Sequence, residues 1–144
     1  PTIGTSFVAT GAIDWSVLWI ALPVGLITDG ILHCNNTRDM RTDARAGITT
    51  MAMSLGTKAS AWLYGFEMIF PYVWVGVISM IGILPVHTVA IFLTLVIAIS
   101  NAKIMMHSVE GGVEMIADLD VKTANLQLFF SVLLAASLII AGLF

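Results

Sequence analysis

Along the chain, apolar positions gather into four long runs and polar positions into the short joints between them. Trp15 to Cys34 carries one formal charge, Asp29, and Ala59 to Leu84 carries one, Glu67; Val86 to Ala102 and Thr123 to Phe144 carry none. The runs are 20, 26, 17 and 22 residues long. A helix needs about 20 residues, within roughly 17–25, to cross a hydrocarbon core of ~30 Å. A membrane strand would instead show alternating segments of about ten residues. The pattern predicts an all-α membrane protein, one transmembrane helical bundle over 1–144. Its spans fall at about 14–38, 59–84, 86–106 and 123–144, with loops at 39–57 and 107–122. Pro23 and Pro71 lie inside spans, where neighbouring helices tolerate a kink. Gly, Ala and Ser recur along all four, which suits close helix packing in lipid.

Residues 1–11, PTIGTSFVATG, are uncharged and too few to span. They lack the basic flank and cleavage site of a signal peptide. They read as the end of a fifth helix that begins upstream.

Composition agrees with this solvent. Hydrophobic residues make up 58% of the chain, charged residues 10%, and mean hydropathy is +0.98, whereas a soluble domain carries roughly 25% charged residues. So few charges could not cover the surface in water. The net charge of −3 and the lack of a basic tract exclude nucleic acid as a partner. The single cysteine, Cys34, excludes an internal disulfide and a multi-cysteine metal site.

All six basic residues fall beside two joints: Arg38, Arg41, Arg45 and Lys58 around the first, Lys103 and Lys122 around the third. With four spans these joints share a face, and the excess of Lys and Arg assigns that face to the cytoplasm. The protein is read as multi-pass, with its polar loops cytoplasmic.

The polar chemistry is concentrated in HCNNTRDMRTDARAGITT, residues 33–50. On a helix, residues four apart share a face, so Asn35, Asp39 and Asp43 form a stripe that Asn36 joins. Carboxylates beside amide oxygens are the hard donors Mg²⁺ takes, usually completed by water and substrate phosphates. Arg38, Arg41 and Arg45 add forked donors suited to phosphate. Spacing alone leaves a second reading open, a solvated surface of mutually paired charges worth about 0–1 kcal/mol per pair.

The stretch LHCNNTRDMRTDARAGITTMAMSLG, Leu32 to Gly56, closely resembles the second aspartate-rich motif of the UbiA superfamily of membrane prenyltransferases, NNxRDxxxDxxAGxxT followed by an apolar turn and LG. The doubled Asn with RD is similar to the branch that prenylates 1,4-dihydroxy-2-naphthoate on the way to menaquinone, its animal relatives included. ALPVGL upstream and KTANLQLFF at the last span add to the likeness. Ala44 stands where the family usually has a basic residue, with Arg45 one later, and Ile48 follows Gly47 as in the animal branch.

The resemblance implies a nine-helix fold in which two aspartate-rich motifs, on helices two and six, hold Mg²⁺ on an isoprenoid diphosphate. An electron-rich ring attacks the allylic cation, and in this branch the ring carboxylate leaves as carbon dioxide. Carried onto this chain, Asp39 and Asp43 are the catalytic residues, Asn35, Asp39 and Asp43 the metal ligands, and Asn35, Asn36, Arg38 and Arg45 the diphosphate contacts. The expected partners are a polyprenyl diphosphate, an aromatic acceptor and the bilayer. The four spans correspond to helices six to nine. Residues 1–144 alone are therefore expected to be inactive, and to need an N-terminal half or a neighbouring chain. The alternative is a non-catalytic UbiA-like structural or accessory subunit of a larger membrane complex.

Other residues are weighed by cost. A lone acid at mid-bilayer costs ~2.5–3.5 kcal/mol on insertion scales, so Asp29 is a candidate for the polar cavity lining, together with His33 on nearly the same face. Glu67 is a similar case. Glu110, Glu114 and Asp118 repeat the spacing of four, but Gly111 and Gly112 favour a solvated loop. Trp15, Trp19, Trp62 and Trp74 read as interface anchors or packing.

The topology is directly testable. Single-cysteine labelling at Thr50 and Ser108 is expected from the cytoplasmic side for both positions; labelling from opposite sides would overturn the span assignment.

Overall fold

The computed structural model describes residues 2–143. They form α1 (Thr2–Thr10), α2 (Val17–Arg45), α3 (Met51–Leu55), α4 (Thr57–Met80), α5 (Leu95–Gly111) and α6 (Leu119–Leu143), with 3₁₀ turns at Val86–Thr94 and Val113–Ile116. Among the described residues there is no strand. Four helical segments are long and apolar enough to cross a membrane: Val17–Arg45, Thr57–Met80, Val86–Gly111 and Val113–Gly142. The helical membrane bundle expected from the apolar runs is what the chain forms.

Helix α4 lies between α2 and α5, and α6 closes against α2 and the Val86–Thr94 segment. The core along this seam includes Ile27, Tyr64, Met68, Tyr72, Leu126 and Phe130. Tyr72 packs edge-on against Phe92 and Phe130, with ring centroids 5.7 and 5.5 Å apart. Helix α1 touches α2 and buries no residue.

The polar joints are shorter than the sequence predicts. Helix α2 does not stop at residue 38 but runs to Arg45, so Asp39 and Asp43 sit on regular helix. The stop is built by Ala46 and Gly47. Gly47 has φ 72°, its N–H donates to the Ala44 carbonyl at 3.3 Å, and the Ile48 N–H donates to the Asp43 carbonyl at 2.9 Å. That pair of bonds around a left-handed residue satisfies the last carbonyls of the helix. Thr50 then caps α3, its hydroxyl oxygen accepting from the Met53 N–H at 3.3 Å. Gly56, at φ 78°, turns α3 into α4.

At the joint before α6, α5 extends to Gly111 and Gly112 breaks it at φ 94°. Glu110, Glu114 and Asp118 therefore lie on three different pieces and form no stripe. Asp118 pairs with Lys122 at 3.0 Å.

The Val86–Thr94 segment stays in 3₁₀ winding longer than usual, and its threonines supply a reason. Thr88 and Thr94 hydroxyls donate to carbonyls three residues back, Pro85 and Ile91, each at 2.7 Å. Partners on α4 hold the same hydroxyls: Ser79 at 2.5 Å and Tyr72 at 2.7 Å.

Gly30 of α2 packs closely against α4. A Cβ there would collide with the Met68 Cε methyl and lie 3.5 Å from Glu67 Oε2. A methionine methyl can swing aside, but the carboxylate cannot easily follow. Gly30→Ala is expected to unfold in detergent within about 1 kcal/mol of the parent. Gly30→Leu should lose more, with overpacking costing typically ~1–3 kcal/mol. Equal melting temperatures for the two variants would show that this contact is not tight.

Candidate functional site

Helix α2 is two-sided. Its buried positions are Pro23, Ile27, Gly30, His33, Cys34 and Thr37, which at 3.6 residues per turn mark one face. Asn35, Asn36, Asp39 and Asp43 are half-buried and lie around the opposite side. Below them on that side runs an apolar groove of about 760 Å³, lined by Thr2, Val17, Ile20, Ala21, Val24, Gly25, Thr28, Asp29 and Leu32. From Val17 to Leu32 this trough follows α2 for about 22 Å, at 1.5 Å per residue. Its end at Leu32 adjoins Asn35 and Asn36, so a polar head surmounts an apolar channel.

The charges at the head are unevenly paired. Arg38 donates from Nε to Asp39 Oδ1 at 3.0 Å and from Nη2 to Asp39 Oδ2 at 3.2 Å. Its remaining nitrogen, Nη1, donates to the Ala117 carbonyl at 3.2 Å and lies 3.5 Å from Asp120 Oδ2. One guanidinium thus ties α2 to the start of α6. Among the described residues Asp43, Arg41 and Arg45 make no ion pair, and both arginines are exposed. Asn35 Oδ1 is buried with no hydrogen-bond partner.

These donors can be matched to Mg²⁺. An orphaned amide oxygen, the unpaired Asp43 carboxylate and the Asp39 carboxylate are all hard oxygen donors on one helix side. Among the described residues no group of three His, Cys, Asp or Glu side chains forms a ready cage. The set fits a cation whose shell is completed by phosphate oxygens and water, the usual way Mg²⁺ is held.

The structure separates the two cavity-lining candidates. Asp29 is exposed and lines the groove. His33 does not line it; it is turned inward, 3% exposed, because both imidazole nitrogens find partners on α4. Nδ1 lies 3.0 Å from Glu67 Oε1 and Nε2 lies 2.7 Å from Ser60 Oγ. Thr37 Oγ1 is 2.8 Å from the same Ser60 hydroxyl and donates to the His33 carbonyl at 2.9 Å. With Thr37 spent on that carbonyl, Ser60 donates to Thr37 and the imidazole Nε2–H donates to Ser60. A second link joins α4 to α6, where the Tyr64 and Thr123 hydroxyls meet at 2.6 Å.

Sequence reasoning missed most of this interior. Glu67 is flagged as the one charge in its run, but no local spacing names a partner 34 residues away. Ser60, Thr37 and Thr123 carry no signal beyond being small and polar in an apolar helix. Asp120 looks like one more acid of a solvated loop. Two of the tryptophans pack together: Trp19 and Trp74 stack at 5.3 Å, and Trp74 Nε1 donates to the Trp19 carbonyl at 3.0 Å, while Trp15 and Trp62 are exposed.

A bundle with four helices long and apolar enough to cross a membrane is an integral-membrane protein. The chain belongs to the UbiA prenyltransferase family, which it matches over residues 1–133. It is similar to the UbiA prenyltransferase domain-containing protein 1 homolog of Drosophila melanogaster, with 48% identity over 63 residues, 44% of this chain and 18% of the fly protein. The Gallus gallus and Homo sapiens UbiA prenyltransferase domain-containing protein 1 are 45% and 42% identical over 65 residues, 45% of this chain and 20% and 19% of those proteins. The matched stretch thus spans about a fifth of these relatives. No solved structure matches the chain.

Proposed function

We propose that this chain supplies the diphosphate end of a prenyl-transfer site, which moves a polyprenyl group from its diphosphate to an aromatic quinone precursor, 1,4-dihydroxy-2-naphthoate. The observation that carries the reading is the continuity of the Asn35–Asp39–Asp43 stripe with the 760 Å³ apolar groove on one side of α2. A prenyl diphosphate has the same two-part character, a polyanion on a hydrocarbon chain.

In this reading the groove takes the isoprenoid tail, and Asn35, Asp39 and Asp43 hold Mg²⁺. When bound, the metal supplies charge stabilisation for the developing diphosphate. Arg38, bidentate on Asp39 and 3.5 Å from Asp120 on α6, would offer its donors to the phosphate oxygens. Asn36 and Arg45 complete the diphosphate contacts. The allylic C–O bond breaks with its electron pair on the diphosphate, and the ring carbon forms the new C–C bond. The ring carboxylate then leaves as carbon dioxide, returning its bonding electrons to the ring. Apolar groove walls keep water from the allylic cation.

Asp29 and the stripe sit on a side of α2 that neither α4 nor α6 covers. A charge facing lipid at that depth is costly, so further helices of the same protein or a neighbouring chain would cover this side. The clustering of Lys and Arg at two of the joints supports a cytoplasmic position for the stripe.

The test is to change Asp39 and Asp43 singly to Asn in the complete gene product and assay with Mg²⁺, prenyl diphosphate and the naphthoate. Each change is expected to lower turnover by ~10²–10³, the usual cost of losing one preorganised electrostatic contact, without altering the melting temperature. Turnover close to the parent's in both variants would favour the non-catalytic accessory subunit.

A further inference from the structure

The geometry points to Glu67, acting with Ser60 through His33 and Thr37, as a positioning element that sets the rotation of the reactive stripe on α2. This rests on the prenyl-transfer reading above.

The two halves of the motif interleave. His33 and Thr37 face inward to α4, while Asn35, Asn36 and Asp39 face the open side. The inward pair grips α4 at two levels. Ser60 and Glu67 are seven residues apart, about 10 Å along the helix axis, and the His33 imidazole bridges them at 2.7 and 3.0 Å. Thr37, one turn on, meets the same Ser60 hydroxyl at 2.8 Å. A turn of α2 by one residue, 100°, would break all three contacts and carry Asn35 and Asp39 off the open side. Dispersion between apolar helices discriminates such rotations weakly. Directional bonds that cannot be replaced by water discriminate them strongly.

All four side chains are nearly sealed: His33 is 3% exposed, Thr37 and Glu67 2%, and Ser60 0%. None touches the groove, so none is placed to contact substrate. Glu67 Oε2 is buried without a partner, 3.5 Å from where a Gly30 Cβ would stand. Retaining an acid at that cost, where an apolar residue would pack, marks a role in orientation rather than in stability.

The experiment compares Glu67→Leu, Glu67→Gln and Ser60→Ala in the complete gene product. Glutamine keeps a hydrogen bond to Nδ1; leucine removes it; the alanine deletes the hydroxyl that joins His33 to Thr37. Glu67→Leu and Ser60→Ala should lower kcat by up to about 10²-fold, the scale of a 1 Å misplacement of reacting groups. The KM for the acceptor should stay unchanged, and Glu67→Gln should recover most of the loss. Should the leucine variant fail to fold, Ser60→Ala carries the same test. Parental kcat in Ser60→Ala, or a glutamine variant as impaired as leucine, overturns the proposal. A second readout separates it from the reading it rests on: spin labels on exposed Thr42 and His107 report the setting of α2 against α5. If the unaltered protein shows no transfer, the prenyl-transfer reading fails. The label distances then decide the positioning role, a broadened distribution in Ser60→Ala supporting it and an unchanged one overturning it.

Discussion

The bundle turns on one imidazole. His33 sits between Glu67 and Ser60 in a layer where no water can substitute for a lost partner, and an unmet polar group there costs several kcal/mol. Much of the arrangement around it follows. Gly30 is bare so that α2 can approach α4 at this depth. Thr37 closes the donor chain by bonding back to the His33 carbonyl. Tyr64, one turn from both Ser60 and Glu67 on α4, carries the polar layer across to Thr123 of α6. Three helices are thus joined by side-chain bonds around His33, and toward Phe130 and Ile91 Tyr72 and Ser79 of α4 bond the Thr94 and Thr88 hydroxyls.

With its inner face committed in this way, α2 has one side left open. The apolar groove and the polar head share that side because a helix of 29 residues is long enough to pass from hydrocarbon into the headgroup region without bending away. Arg38 lies at the boundary between the two faces. Its reach to Ala117 and Asp120 anchors the head to α6, while its fork on Asp39 leaves the resting carboxylate neutralised rather than bare.

The spans were legible because lipid demands about 20 apolar residues and nothing else in this composition can supply them. That Asn35, Asp39 and Asp43 share one side was legible because they lie on consecutive turns of one helix, where spacing alone places them together. The resemblance carried further than spacing, and the structure explains the motif's length. Only part of it is chemistry. Ala46 and Gly47 close α2, Thr50 opens α3 and Gly56 opens α4, so the AGxxT and LG positions punctuate the backbone. His33 shows what spacing could not reach. From sequence it shares a side with Asp29 and Asn36, yet its place is decided by residues 27 and 34 positions away. A wheel drawn on one helix cannot show which neighbour offers a partner. The predicted loops 39–57 and 107–122 erred for a related reason: helices do not end where hydrophobicity ends but where a glycine or a cap releases the carbonyls.

That punctuation also bears on how such a chain could be cut and rejoined. Between Arg45 and Thr57 nearly every residue is a cap, a left-handed glycine or part of the five-residue α3. An inserted reporter or an altered loop length there would unpick a helix terminus as well as stretch a connector. The turn after α4 repeats the device, the Gly82 N–H donating to the Ser79 carbonyl at 3.1 Å and the Ile83 N–H to the Ile78 carbonyl at 2.9 Å. Gly82 supplies its left-handed residue, Ile81 and Ile83 are exposed, and only Leu84 is sunk into the core. An insertion at residues 81–83 would therefore unpick the end of α4 just as one beside Gly47 would unpick the end of α2, so neither joint is a passive connector.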